Sequence, residues 1–256
     1  MMKLLRKGQI YMMERLSNDF LTIKENLNVI YDKIHNTCDQ NNISFDNINI
    51  LAATKTVSAD KINFAISNGI KFIGENKVQE LLSKYNDYDL NNSDLHFIGH
   101  LQTNKVKDIV DKVSMIHSVD SVKLASKISA EASKLGKTMD VLLEINIGEE
   151  QSKSGVPLNF ATELIEEISS FDAIKVRGLM TIPPICDNKS ELIKYFSNMY
   201  NLFIDIKSKK VDNVYMDYLS MGMSSDYCEA ISCGANFVRI GSSIFGARNY
   251  NNGGLF

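Results

Sequence analysis

Apolar residues at Leu16, Phe20, Ile23, Leu27, Ile30 and Ile34 recur at steps of three and four, which predicts a long helix over 14–40 with one buried face. The stripe runs for roughly three heptads before the polar run "NTCDQNN", so packing on a domain is expected rather than a coiled coil. The period then changes. Short apolar runs follow at "INILAAT" (48–54), "IKFIG" (70–74), "LHFIG" (95–99), "MIHSV" (115–119), "VLLEINI" (141–147), "KVRGLM" (175–180), "VYMDYLSM" (214–221) and "FVRIG" (237–241). Between consecutive runs lie segments able to form helices. Val122, Ala125, Ile128, Ala132 and Leu135 share one face of 121–135, and Leu192, Phe196, Met199, Phe203 and Ile206 share one of 188–208.

Alternation of this kind predicts parallel strands joined by right-handed crossovers. Eight such units fit an α/β fold of one particular form, a single (β/α)8 TIM barrel with an extra N-terminal helix. An open doubly wound sheet is the alternative, but "ATKTVSAD" after the first strand has no glycine to build a dinucleotide-binding loop. The 256 residues match what one such barrel needs. No linker divides the chain, so one domain is expected over 13–250. Residues 1–12 are expected to be a loose N-terminal extension, since Met12 and Met13 offer a later start, and 251–256 a C-terminal tail.

Composition narrows the partners. A net charge of −3 argues against a nucleic-acid binder. No apolar run is long enough to span a membrane or serve as a signal core. The four cysteines, 38, 186, 228 and 233, form no CxxC pair and are expected as isolated thiols in a reducing cytoplasm.

In a barrel the site lies at the C-terminal ends of the strands. Those ends carry Lys55, "GEN" (74–76), "GHLQTNK" (99–105), "HSVDS" (117–121), "NIGEEQSKSG" (146–155), "LMT" (179–181), "SMGMSSD" (220–226) and "RIGSSIFG" (239–246). The last two have the ingredients of a phosphate site. Gly222 and Gly241 let the backbone approach an anion, Ser220, Ser224, Ser242 and Ser243 offer hydroxyls, and Asp226 with Glu229 suits a helix cap. Alternation puts Arg239 inside the barrel, where it must meet a carboxylate or a ligand atom. Lys55 shares a face with Leu51 and Ala53, and alone it reads as a solvated lysine at a strand end. A carbonyl-bearing phosphate ligand would make it a nucleophile instead, and pyridoxal phosphate is such a ligand. His96 and His100, about 13 Å apart on one strand, are too far apart to share an ion. His96 is expected in the core or rim, and His100 and His117 along the pocket.

These motifs resemble the pyridoxal phosphate homeostasis protein family, related to the N-terminal barrel domain of alanine racemase. The matching stretches are "ATKT" (53–56), "IGENKVQE" (73–80), "HFIGHLQTNK" (96–105), "IHSVDS" (116–121), "INIGEEQSKSG" (145–155), "RGLMTI" (177–182), "LSMGMSSDY" (219–227) and "VRIGSSIFGAR" (238–248). The resemblance implies a barrel holding pyridoxal 5′-phosphate as a Schiff base on Lys55. It also implies phosphate-binding turns at Ser220, Gly222, Ser224, Gly241 and Ser242, Arg239 facing the pyridine, and Asn76 beneath the cofactor. Ser242 stands where the family usually has threonine, Lys77 where an aromatic often follows "GEN", and Leu95 where a tryptophan is usual. The implied role is intracellular vitamin B6 homeostasis, with little or no catalytic turnover. The protein would be a cytoplasmic monomer that meets apo forms of pyridoxal phosphate enzymes transiently. Alanine racemase draws its second base from a separate β-rich domain, and this chain is expected to lack one. A pyridoxal phosphate-dependent amino-acid racemase or lyase is the alternative.

Overall fold

The computed structural model describes residues 2–150, 153–186 and 188–247, with the backbone alone over 2–16. Among them run nine strands: β1 (Asn49–Ala53), β2 (Phe72–Glu75), β3 (Asp94–Phe97), β4 (Met115–Val119), β5 (Met139–Asn146), β6 (Val156–Pro157), β7 (Ile174–Thr181), β8 (Val214–Ser220) and β9 (Phe237–Ile240). Eight of them, all but β6, pair in parallel in chain order, and β9 pairs with β1 to close the barrel. The two-residue β6 adds itself to the end of β5. The helices are α1 (Met2–Asn41), α2 (Ala59–Ser67), α3 (Val78–Lys84), α4 (Val106–Ile109), α5 (Val122–Lys134), α6 (Ala161–Ser169), α7 (Lys189–Lys209), α8 (Tyr227–Ser232) and α9 (Ser242–Phe245). The expected barrel and its N-terminal helix are both present. The expected tail over 251–256, and Arg248 of the last matching stretch, lie outside the described residues.

Alternation along each strand sorts the side chains. In β1, Ile50 and Ala52 join the core between barrel and helices, while Leu51 joins a separate interior cluster with Ile98 and Phe237. Phe237 is the hub of the barrel floor. The rings of Phe72, His96, His117 and Tyr218 surround it at centroid distances of 5.2, 5.7, 5.3 and 5.5 Å. Towards the N-terminal ends of the strands, Arg177 bridges Asp140 at 2.7 Å and Asp217 at 2.8 Å. With its floor filled, the barrel is a packed core, and its polar chemistry is left to the opposite, C-terminal mouth.

The last helix, α9, has only four residues and cannot cover its side of the barrel. Helix α1 does so, burying Ile23, Leu27, Ile30 and Ile34 against α2, α8 and α9. Asn26 Nδ2 donates to the Ile244 carbonyl at 3.0 Å, tying α1 to α9. The apolar stripe read from the sequence thus completes the helical ring.

Candidate functional site

The site grows from the ends of β1, β2, β8 and β9. Thr54 is fully buried, and its hydroxyl donates to Glu75 Oε1 at 2.7 Å. Val57 N–H donates back to the Thr54 carbonyl at 3.0 Å, closing a four-residue turn with Lys55 second and Thr56 third. Thr56 has φ 64°, a left-handed conformation that a β-branched residue rarely takes. A type II turn requires positive φ at that position and normally gives it to glycine or asparagine. The backbone beside Lys55 is therefore held in a shape that threonine would not choose alone.

Arg239 lies level with Leu51 on the neighbouring strand, four residues below Lys55 along β1. It is 4% exposed. Nη1 donates to the Ser220 carbonyl at 2.8 Å and to Ser220 Oγ at 2.7 Å, and Nη2 donates to the Thr181 carbonyl at 2.9 Å. Sequence reasoning left open a carboxylate or a ligand atom, but the partners found here are neutral oxygens. Burial lowers its pKa to about 10, against the opposing pull of Glu144 and Asp226, so it stays charged at neutral pH. Ser220 Oγ, which accepts from Arg239, also shares a hydrogen bond with His117 Nδ1 at 3.4 Å. His117 Nε2 and His96 Nδ1 share a hydrogen bond at 2.9 Å. Burial pushes His96 down to about 3 and His117 well below the usual histidine value, so this row is neutral. His96 is the core histidine expected. His117 belongs to the barrel interior rather than to the rim of the pocket.

Glu144 shares this interior layer, since β5 pairs it with Met180 and β7 pairs Met180 with Ser220. Burial, then the charge of Asp120, raises it to about 7, with Arg239 pulling the other way.

Ser224, Gly241 and Ser243 stitch the last two loops together. Ser224 Oγ accepts the N–H groups of Gly241 and Ser243, each at 3.2 Å. Gly222 has φ 90°, and a Cβ there would stand 2.5 Å from Ala230 Cβ, so only glycine fits. A Cβ on Gly241 would meet the Ala53 carbonyl at 3.1 Å, which shows how closely β9 abuts the end of β1. Asp226 precedes α8 but does not cap it in the expected way. Its Oδ1 accepts Met223 N–H at 2.6 Å and so braces the loop instead. Ser220 points one layer deeper than Ser224, at Arg239 and His117. Ser242 opens α9.

Asn76 follows β2, and its Oδ1 is buried without a hydrogen-bond partner. A buried orphan acceptor is costly, and a ligand seated against it would account for it. Together with a backbone cradle of two glycines, a buried guanidinium and a lysine in the turn after β1, this is a donor set that fits pyridoxal phosphate. Glu75, Glu80, Lys84, Tyr88 and Glu144 were not picked out from the sequence. Glu75 and Glu80 fell within "IGENKVQE" and Glu144 within "VLLEINI", but no role was read for any of them. Among the described residues no group of three or more His, Cys, Asp or Glu could hold a metal ion, and no helix is long and apolar enough to cross a membrane.

A family model for the alanine racemase N-terminal domain matches residues 42–249. A pyridoxal phosphate homeostasis protein of Aquifex aeolicus is 41% identical over 88% of this chain and 98% of its own. The chain belongs to the pyridoxal phosphate homeostasis protein family. The Escherichia coli K12 member is 34% identical over 90% of this chain and 98% of its own. Among solved structures, a protein of unknown function from Bifidobacterium adolescentis superposes with TM-score 0.84 at 32% identity, over 89% of this chain and 96% of that one. PipY of Synechococcus elongatus, with pyridoxal phosphate bound, gives TM-score 0.75 at 27% identity, over 88% of this chain and all of PipY. Alanine racemase of Clostridium difficile gives 0.70 at 17%, over 90% of this chain and 58% of its own, and shares the barrel fold. In this member of the family, the last-strand arginine is held by carbonyls and a serine, and the first-strand lysine by a strained turn.

Proposed function

We propose that this chain binds pyridoxal 5′-phosphate at the barrel mouth, holds it as a Schiff base on Lys55, and stores or hands over the cofactor with little or no turnover. The reading rests above all on one observation. Lys55, in the turn that follows β1, and Arg239, on the adjacent β9, stand above a filled floor, in a family to which the sequence binds this chain closely. PipY, with the cofactor bound, supports it from a relative.

Pyridoxal phosphate would supply an electrophilic aldehyde, and Lys55 would supply the amine that takes it up with loss of one water. Gly222, Ser224, Gly241 and Ser242 would hold the phosphate, and Ser220 holds Arg239. Arg239 would serve the pyridine nitrogen and Asn76 the ring. A guanidinium only donates hydrogen bonds, so Arg239 would favour an unprotonated ring nitrogen and would weaken the ring as an electron sink. That favours holding over turnover. The protein works as a cytoplasmic monomer, and its partners are apo forms of pyridoxal phosphate enzymes.

One observation favours the rival reading as a racemase or lyase. Glu144 is a buried carboxyl titrating at about 7 in the layer of Arg239, where it could move a proton. Two measurements separate the readings. Addition of pyridoxal phosphate to the wild-type protein should raise the yellow Schiff-base band, and Lys55→Ala should not show it. Exchange of amino-acid α-protons in deuterated water should stay at the rate of free cofactor. Exchange at rates typical of enzymes, lost in Glu144→Gln, would replace storage with catalysis.

A further inference from the structure

The turn that carries Lys55 is gripped by a charged cluster from β2, α3 and the loop after it. Lys84 Nζ faces four oxygens: the Thr54 carbonyl at 3.2 Å, the Val57 carbonyl at 3.1 Å, Glu80 Oε1 at 2.9 Å and Glu75 Oε1 at 2.5 Å. The two carbonyls bracket Lys55, one on each side. The Glu80 carboxylate also accepts the backbone N–H of Thr56, the left-handed residue. Glu75 Oε1 further accepts the Thr54 hydroxyl at 2.7 Å and the Tyr88 hydroxyl at 2.6 Å. Burial, followed by the charge of Glu75, pushes the Tyr88 phenol up, so it remains a donor. The Glu75 side chain is fully buried, and that of Lys84 is 13% exposed.

A surface ion pair would not be arranged in this way. An exposed lysine gains little from one carboxylate. Here a single ammonium spends its three N–H groups on both carbonyls of one turn and on the Glu80 carboxylate, which also takes the strained residue's N–H, and it pairs in charge with the buried Glu75 carboxylate. Thr56 persists in a conformation of its own high cost because the surroundings over-determine it, and such strain concentrates where geometry matters.

We propose that Lys84, with Glu80 and Glu75, is the positioning device for Lys55: it fixes the turn so that the Lys55 amine meets an aldehyde seated in the barrel mouth. The inference rests on the reading of Lys55 as the attachment residue. Lys84 touches neither cofactor nor amine in this role. It acts through the two carbonyls that flank Lys55.

The test compares two ligands in the full-length protein, pyridoxal phosphate and its analogue with a methyl in place of the aldehyde. Lys84→Met should bind the analogue as wild type does, because the phosphate cradle and Arg239 are untouched. Its Schiff-base band should appear about ten- to a hundredfold more slowly, the loss expected when a reacting group is misplaced by about 1 Å. A merely structural lysine would weaken both ligands equally, and that result would overturn the proposal, as would a wild-type rate in the variant. Glu80→Gln, in a less buried part of the cluster, keeps the test decisive if Lys84→Met does not fold. It should slow the band several-fold and leave analogue binding alone, and a wild-type rate there would overturn the proposal too. If wild-type protein gives no reducible adduct at Lys55, the attachment reading fails, whatever Lys84 does.

Discussion

The two walls of the barrel mouth are built from opposite materials. On the β1–β2 side, two carboxylates and an ammonium grip the Lys55 turn, with residues drawn from one stretch, 54–88. On the β8–β9 side, Arg239 meets only carbonyls and a serine, backed by a neutral pair of histidines from β3 and β4. The first wall spends its charge internally. Among the described residues, the second keeps one positive charge without a hydrogen-bonded counter-ion. Glu144 and Asp226 act on it only at a distance. Under the proposed function the amine would be held by geometry and the ring by electrostatics, so the two walls should fail in different ways.

The largest effect is expected on the ionic wall. Glu75→Ala removes the shared acceptor of Thr54, Lys84 and Tyr88, and breaking a buried pair on one side costs about 3–5 kcal/mol. Urea unfolding should show the loss. A cost below about 1 kcal/mol would mean that the cluster is ornamental.

On the neutral wall, Ser220→Ala should cost less, about 1–2 kcal/mol, because Arg239 keeps two carbonyl acceptors. It should weaken pyridoxal phosphate and the methyl analogue together, the reverse of the split expected at Lys84. A split at Ser220 would dissolve the comparison.

The histidine row predicts acid sensitivity. An unfolded histidine takes a proton near 6.5, whereas folded His96 waits until about 3 and His117 also resists. The unfolded state binds more protons as the pH falls, so stability drops below about 6.5, by up to about 1.4 kcal/mol per pH unit for each histidine. His96→Gln should make the acid limb of a stability–pH curve shallower, and an unchanged limb would contradict the neutral row.

Glu144 contributes a smaller, opposite slope. Its folded value of about 7 stands above 4.5, so the folded state keeps a proton that the unfolded state has released, and stability falls as the pH rises between those values. Glu144→Gln should remove that slope, which is at most about 1.4 kcal/mol per unit for one group. A curve unchanged between pH 5 and 7 would place Glu144 in an ordinary environment.

The two walls also differ in how legible they were. Apolar runs gave the eight staves and the buried stripe of α1, because period 2 and period 3.6 are strong signals. The short β6 has two residues, one of them proline, and leaves no pattern. Arg239 and the glycine turns could be read because alternation and loop chemistry are local. The clamp on Lys55 could not, because Glu75, Glu80, Lys84 and Tyr88 fall on a strand, a helix and a loop with no common period. The histidine row was missed for a related reason. Reading along β3 compares His96 with His100, whereas the contact runs sideways to His117 on β4. Pairing across strands is set by closure of the sheet, which no single segment records.

The most direct test of the account is to reduce the protein loaded with pyridoxal phosphate with borohydride and map the labelled peptide. The account predicts one label, on Lys55. A label on Lys84, Lys153 or any other lysine, or no label at all, would contradict it.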